Sequence, residues 1–155
     1  ETLADKEEWP RIRTLLDPLR TTQLDEPWNT RHRIALGRAL VRLGSGKRAV
    51  PILTEALAEG GARAAEAQFE IGLAHRQAGD RDRAIEAFIH GPVLYPFKPW
   101  ALRSHLEAGR DLLATGKRRE ASRLLKLAIE QDPEGPIGRE AKRMLEGADD
   151  KESFR

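Results

Sequence analysis

Between residues 30 and 133, apolar side chains return every three or four positions in helix-length segments separated by glycine or proline. That spacing places them on one face of a helix. The clearest stretch is 65–96. Gln68, Ile71, Gly72 and His75 mark a first helix, and Gly79-Asp80 marks a turn. Ala84 and Phe88 mark a second helix, which Pro96 closes. Gly79 supplies the positive φ that a helix exit often needs, and Asp80 is a natural N-cap for the second helix. The same order occurs before it: Arg33, Leu36, Gly37 and Leu40, the turn Gly44-Ser45-Gly46, then Ala49, Leu53 and Gly61. It occurs again after it: His105, Ala108, Gly109 and Leu112, the turn Thr115-Gly116-Lys117, then Ala121, Leu125 and Pro133. Gly44 to Gly79 is 35 residues and Gly79 to Gly116 is 37. A helix–turn–helix unit of about 34 residues thus recurs three times, with small insertions in both intervals.

The small residues of this pattern carry a packing message. Gly37, Gly72 and Gly109 share one position of the first helix; Ala49, Ala84 and Ala121 share one position of the second. A mid-helix glycine costs about 1 kcal/mol relative to alanine. Its return at one position three times predicts close helix–helix approach, with Leu53, Phe88 and Leu125 filling the space between. Ala56, Gly91 and Ala128 should meet the next unit.

Residues 1–147 read as a single domain, with repeats in 27–61, 62–98 and 99–136. In 1–26, Trp9, Ile12, Leu15, Leu16 and Leu19 fall at helical spacing. This segment predicts the second helix of a partial repeat, with Pro10 in a first turn, Pro18 as its stop and Pro27 in the closing position. Gly91-Pro92 should weaken or kink the second helix of the middle repeat. After Gly135-Pro136, Ile137, Ala141, Met144 and Leu145 predict a capping helix over 137–147. Residues 148–155 are expected to be disordered.

The three-repeat pattern over 30–133 resembles the tetratricopeptide repeat family. The resemblance implies an all-α α-solenoid, a right-handed superhelix of three repeats between N- and C-terminal caps. Ala, Leu, Arg and Glu dominate while β-branched residues are scarce, which favours helix over strand independently. The departures from the family pattern are specific. Arg33, Gln68 and His105, then Leu40, His75 and Leu112, occupy positions where the family favours aromatics, and Gly61 replaces a closing proline.

Composition narrows the chemistry. Charged residues make up 34% of the 155, yet 27 basic against 25 acidic residues leave a net charge of only +2. Such a balance predicts no general attraction to nucleic acid or membrane. There is no cysteine, hence no disulfide, thiol nucleophile or thiolate metal site. No apolar run is long enough to span a membrane. Gly44-Ser45-Gly46-Lys47 is similar to the end of a phosphate-binding loop, but Val41 stands where the first glycine belongs and Arg48 where Ser or Thr belongs. His32, His75, His90 and His105 form no metal-ligand pair with an acidic partner, and no serine lies in a nucleophile motif. Neither catalysis nor a cofactor or metal is expected. The chain opens on Glu1, which reads as a processed or excised form, and its Arg/Ala/Leu-rich usage suggests a bacterial source. Cytoplasm and periplasm are equally compatible with it.

Binding is the remaining class. In the family, the first helix of each repeat lines the inner face of the superhelix. The resemblance implies that this face is formed by Arg31, Ile34, Arg38, Val41 and Arg42, by Glu66, Phe69, Leu73, Arg76 and Gln77, and by Arg103, Leu106, Arg110, Leu113 and Ala114. Six arginines stand among apolar residues against one acid. Arginine's planar fork suits carboxylates, so the expected ligand is an acidic or amphipathic peptide or helix of a partner protein, held by a scaffold or adaptor. Arg38 and Arg110 are the pair whose reversal should abolish capture. Ile34, Arg38 and Glu70 stand where family members that bind chaperone tails carry other residues, which disfavours that ligand. A second candidate patch is Tyr95, Phe97 and Trp100 in a proline-stiffened loop, against the alternative that Phe97 and Trp100 staple the next helix. A regulatory or substrate-recruiting domain of a larger enzyme or assembly and a self-assembling module (a homo-oligomer through an end repeat or the 95–100 loop) are the rival readings.

Overall fold

The computed structural model describes residues 3–18 and 28–153. Among these residues the regular structure is helical throughout: α1 (Leu3–Leu16), α2 (Trp28–Arg42), α3 (Gly46–Glu55), α4 (Gly61–Gln77), α5 (Arg81–Leu94), α6 (Lys98–Ala114), α7 (Arg118–Gln131) and α8 (Pro136–Ser153), with a 3-10 turn Ala56–Glu59 continuing α3. Each helix packs on its successor from α1 to α8, the turn Ala56–Glu59 joining α3 to α4. In addition α2 touches α4, α4 touches α6, and α6 touches α8. The even-numbered helices therefore form one layer and α3, α5 and α7 the other, in an all-α solenoid.

The turns follow from glycine. Gly44, Gly79 and Gly116 have φ of 77°, 85° and 77°, and the same two bonds close each helix end. The N–H groups of Ser45, Asp80 and Lys117 donate to the carbonyls of Leu40, His75 and Leu112 at 2.7, 2.9 and 2.8 Å. Those of Gly44, Gly79 and Gly116 donate to Val41, Arg76 and Leu113. This is the Schellman arrangement, repeated three times. Asp80 then accepts from the Arg83 N–H at 3.2 Å and caps α5 as expected.

The close approach predicted within each repeat is present. A Cβ placed at Gly37, Gly72 or Gly109 would fall on Leu53, Phe88 or Leu125 respectively, all three fully buried. Between repeats, Leu36, Leu40 and Leu53 pack with Ile71 and Ala74, and Phe69 and Phe88 with Ala108. Leu106, Leu125 and Ala128 pack against Ala141, with Ile137, Met144 and Leu145 of α8 around them.

Four local expectations change. Pro10 is an interior residue of α1, because the helix begins at Leu3, a full two turns earlier than a first-turn proline requires. The helix ends at Leu16, just ahead of Pro18 as that stop predicts, but Leu15, placed on its apolar face, is exposed; Leu19 and Pro27 lie outside the described residues. Helix α5 runs through Gly91-Pro92 to Leu94, since a proline this near the C-terminus removes one backbone bond with little helix left to disrupt. Gly91 packs beside Gln68 and Ser104, which would stand in ordinary contact with a Cβ there, at 3.4 and 3.6 Å. Finally, α8 continues to Ser153 where 148–155 was expected to be disordered. No proline follows Pro136, and Gly147 faces open space, so nothing interrupts the helix.

Candidate functional site

Helices α4 and α6 define the floor of a groove of about 760 Å³, with the end of α2 on one side and the start of α8 on the other. Phe69, Leu73 and Leu106 form its apolar base, and Val41 and Ile137 add to the apolar lining. Arg42, Arg76, Arg103 and Arg110 line it, with Glu107 the acidic member of the lining. Nine of the inner-face residues named from the sequence thus meet in one place: Val41, Arg42, Phe69, Leu73, Arg76, Gln77, Arg103, Leu106 and Arg110.

The aromatic floor is held from below. Phe69 lies against Phe88 and Trp100, with ring centroids 5.6 Å apart in both pairs. The Arg103 guanidinium stacks over Trp100 at 4.9 Å and that of Arg76 over Phe88 at 5.0 Å. Trp100 is therefore an internal staple between α6 and α4. The patch expected from Tyr95, Phe97 and Trp100 is divided: Trp100 turns inward, Tyr95 is half-buried and Phe97 stays exposed.

Other expected members fall elsewhere. Ile34 is buried against Ala56 and Ala67, because the rotation of α2 turns it into the junction with α4. Arg31 is exposed outside the groove. Leu113 packs beside Leu125 and Leu112 and lines a separate, smaller hollow with Arg118 and Met144.

Arg38 is also outside the groove, in a bridge between α2 and α4. Its Nε donates to Glu70 at 2.7 Å and its Nη2 to Glu66 at 2.8 Å. Arg76 repeats the device one unit later. Its Nε donates to Asp111 at 2.9 Å and its Nη1 to Glu107 at 2.5 Å. Each arginine grips two carboxylates one helical turn apart on the next even-numbered helix. Arg110 joins Glu107 at 2.7 Å and approaches Glu140 of α8 at 3.6 Å. The count of six arginines against one acid is thereby corrected: Glu70, Glu107 and Asp111 come from neighbouring positions of the same helices and neutralise much of the charge. A signal existed in the sequence, since the acids follow their arginines by roughly one repeat.

Burial governs the titration of the first bridge. It pushes the Glu70 carboxyl above the usual carboxylate range, with Arg38 pulling back only partly and Glu66 adding to the rise. For Arg38, burial opposes the charge, but Glu70 and Glu66 together outweigh it and hold the guanidinium more firmly protonated. His105 sits half-buried with Nδ1 lacking a hydrogen-bond partner, and burial lowers its pKa.

Arg103 differs from these arginines. Among the described residues it has no carboxylate partner; its contact is the face of Trp100. The described residues hold no cluster of three metal-ligating side chains, and none of their helices is long and apolar enough to cross a membrane.

A tetratricopeptide repeat family model matches residues 34–89. Among solved structures, the chain is similar to the TPR-like repeats of a putative kinesin light chain of Podosopora anserina, with 20% identity, a TM-score of 0.73, and 98% of this chain and 86% of that one covered. It is similar to MamA, with 18% identity, a TM-score of 0.62 and coverage of 99% and 96%. It is also similar to a MamA RS-1 double mutant, with 22% identity, a TM-score of 0.65 and coverage of 83% and 68%. No curated protein matches the chain significantly. Residues 34–89 thus match the tetratricopeptide repeat family, and the chain as a whole shares the all-α solenoid fold of these TPR structures.

Proposed function

We propose that the groove binds an acidic, amphipathic segment of a partner protein, and that the chain acts as a non-catalytic interaction scaffold. The observation that carries this reading is the lining itself: four arginines and one glutamate around a base of Phe69, Leu73 and Leu106. An apolar ligand side chain gains from burial on that base. A neighbouring carboxylate gains a planar, stacked guanidinium at Arg103. The acids near the groove favour binding over catalysis, because Glu107 and Asp111 are both committed to arginine.

The test is selection of a displayed random-peptide library on the immobilised protein. Enrichment of sequences with Asp or Glu beside Leu or Phe is expected, and Arg103→Glu should abolish it at unchanged helicity. Arg103 is a better probe than the Arg38 and Arg110 pair, because a glutamate at 38 would gather three carboxylates with Glu66 and Glu70. Absence of any enriched sequence, or enrichment indifferent to Arg103→Glu, would refute the reading.

A further inference from the structure

The groove belongs to the layer of even-numbered helices, whereas α5 belongs to the other layer and shows an unusual outer face. Ala84, Ile85, Ala87, Phe88 and Gly91 are buried on its inner side. On its outer side Val93 is 76% and Leu94 61% exposed, and Ile89, one turn before Val93, is also exposed. Phe97, just before α6, extends the series. The sister repeats show that the fold does not require apolar residues here. At the position of Ile89 they carry Thr54 and Lys126; at that of Val93, Ala58 and Glu130; at that of Leu94, Glu59 and Gln131. Only the middle repeat presents an apolar stripe on this face.

The charges around the stripe identify what covers it. Nearby ions are satisfied within the chain: Asp80 with Arg83, Arg81 with Asp111 and Asp82 with Lys117. Among the described residues, Glu86 and Lys98 have no ion-pair partner. Both are exposed, and they lie at opposite ends of the stripe, Glu86 one turn ahead of Ile89 and Lys98 just after Phe97. A stripe with unpaired opposite charges at its two ends is complementary to itself when one copy is turned end for end. A two-fold axis through its middle makes that arrangement, with the same patch serving on both sides.

We propose that this face is a self-association surface, on which α5 of one copy lies antiparallel to α5 of a second. Ile89, Val93 and Leu94 meet their counterparts, and Glu86 of each copy faces Lys98 of the other. The stripe is small, made of Ile89, Val93, Leu94 and Phe97. A stable dimer needs about 800 Å² per partner, so the association is weak and concentration-dependent. The surface is separate from the groove and does not rest on what the groove binds.

Sedimentation velocity over a concentration series tests this. The wild type should pass from monomer to dimer as concentration rises. Val93→Arg should stay monomeric at unchanged helicity, because that side chain is exposed and holds no core contact. Glu86→Lys and Lys98→Glu should each weaken dimerisation about tenfold, since each sets like charges together at both ends. The double exchange Glu86→Lys/Lys98→Glu recreates the pairs and should restore wild-type affinity. A wild type that remains monomeric at its solubility limit, a Val93→Arg protein that still dimerises, or a double exchange no tighter than the single changes would overturn the proposal.

Discussion

Gly72→Ala is the sharpest test of how the repeats are built. A Cβ at residue 72 would stand 2.6 Å from Cδ1 and 2.7 Å from Cζ of Phe88, with Cε1 nearer still. Real Cβ atoms do not come so close, so something must shift. Phe88 is fully buried and is the aromatic centre of the cluster that includes Phe69 and Ala108. It has only two side-chain torsions and no free space into which to move. Overpacking of this kind costs about 1–3 kcal/mol. Alanine returns about 1 kcal/mol of helix propensity, which leaves a net loss of up to about 2 kcal/mol, near the top of that range because Phe88 is fully buried. At this chain length that lowers Tm by about 2–4 °C per kcal/mol. Gly147→Ala is the internal control. It also lies in a helix, but nothing stands within 4 Å of its Cβ, so only the propensity gain remains and stability should rise. Urea unfolding followed by circular dichroism measures both. Combining Gly72→Ala with Phe88→Leu should cost less than the sum of the single changes, because the smaller side chain removes the clash. A Gly72→Ala protein as stable as the wild type, or strict additivity with Phe88→Leu, would refute the packing explanation.

Two further predictions concern protons. Because burial raises the Glu70 pKa in the folded state, its contribution to stability is complete below its unfolded value near 4.5 and is lost as pH rises through the raised folded value. The stability difference between wild type and Glu70→Gln, measured by urea unfolding from about pH 4 to 8, should therefore shift against the wild type across that window, and a flat difference would count against it. His105 runs the other way, since its folded pKa is lowered from 6.5: its contribution is present above that value and is lost as pH falls through the folded one. His105→Leu should remove that acid sensitivity. It should also raise stability near neutral pH by about 1 kcal/mol, because the unpartnered Nδ1 is gone; a less stable variant would show that Nδ1 is satisfied in solution.

The order along the chain determined what depends on neighbours within a turn or two. Gly44, Gly79 and Gly116 announce their helix ends because a left-handed residue is a local requirement. The pairing of Gly37, Gly72 and Gly109 with Leu53, Phe88 and Leu125 was legible because each pair lies within one repeat and the register is given three times over. What α1 and α8 would do was less legible, since a proline or a polar tail does not by itself say where a helix starts or stops. Tertiary structure decided which arginines are held by carboxylates and which is not, although the repeat-length spacing of the acids hinted at it. Arg38 and Arg103 look alike as positions on an inner face. Yet Arg38 meets Glu66 and Glu70 across 28 and 32 residues of chain, while Arg103 meets the face of Trp100. The same applies to Ile34, which is hidden, and to Val93, which is bare. These outcomes are set by how far each helix is rotated against its neighbour. Rotating a helix by one residue, about 100°, exchanges a buried position for an exposed one. That rotation is fixed by close packing between repeats, in contacts no short stretch of sequence contains.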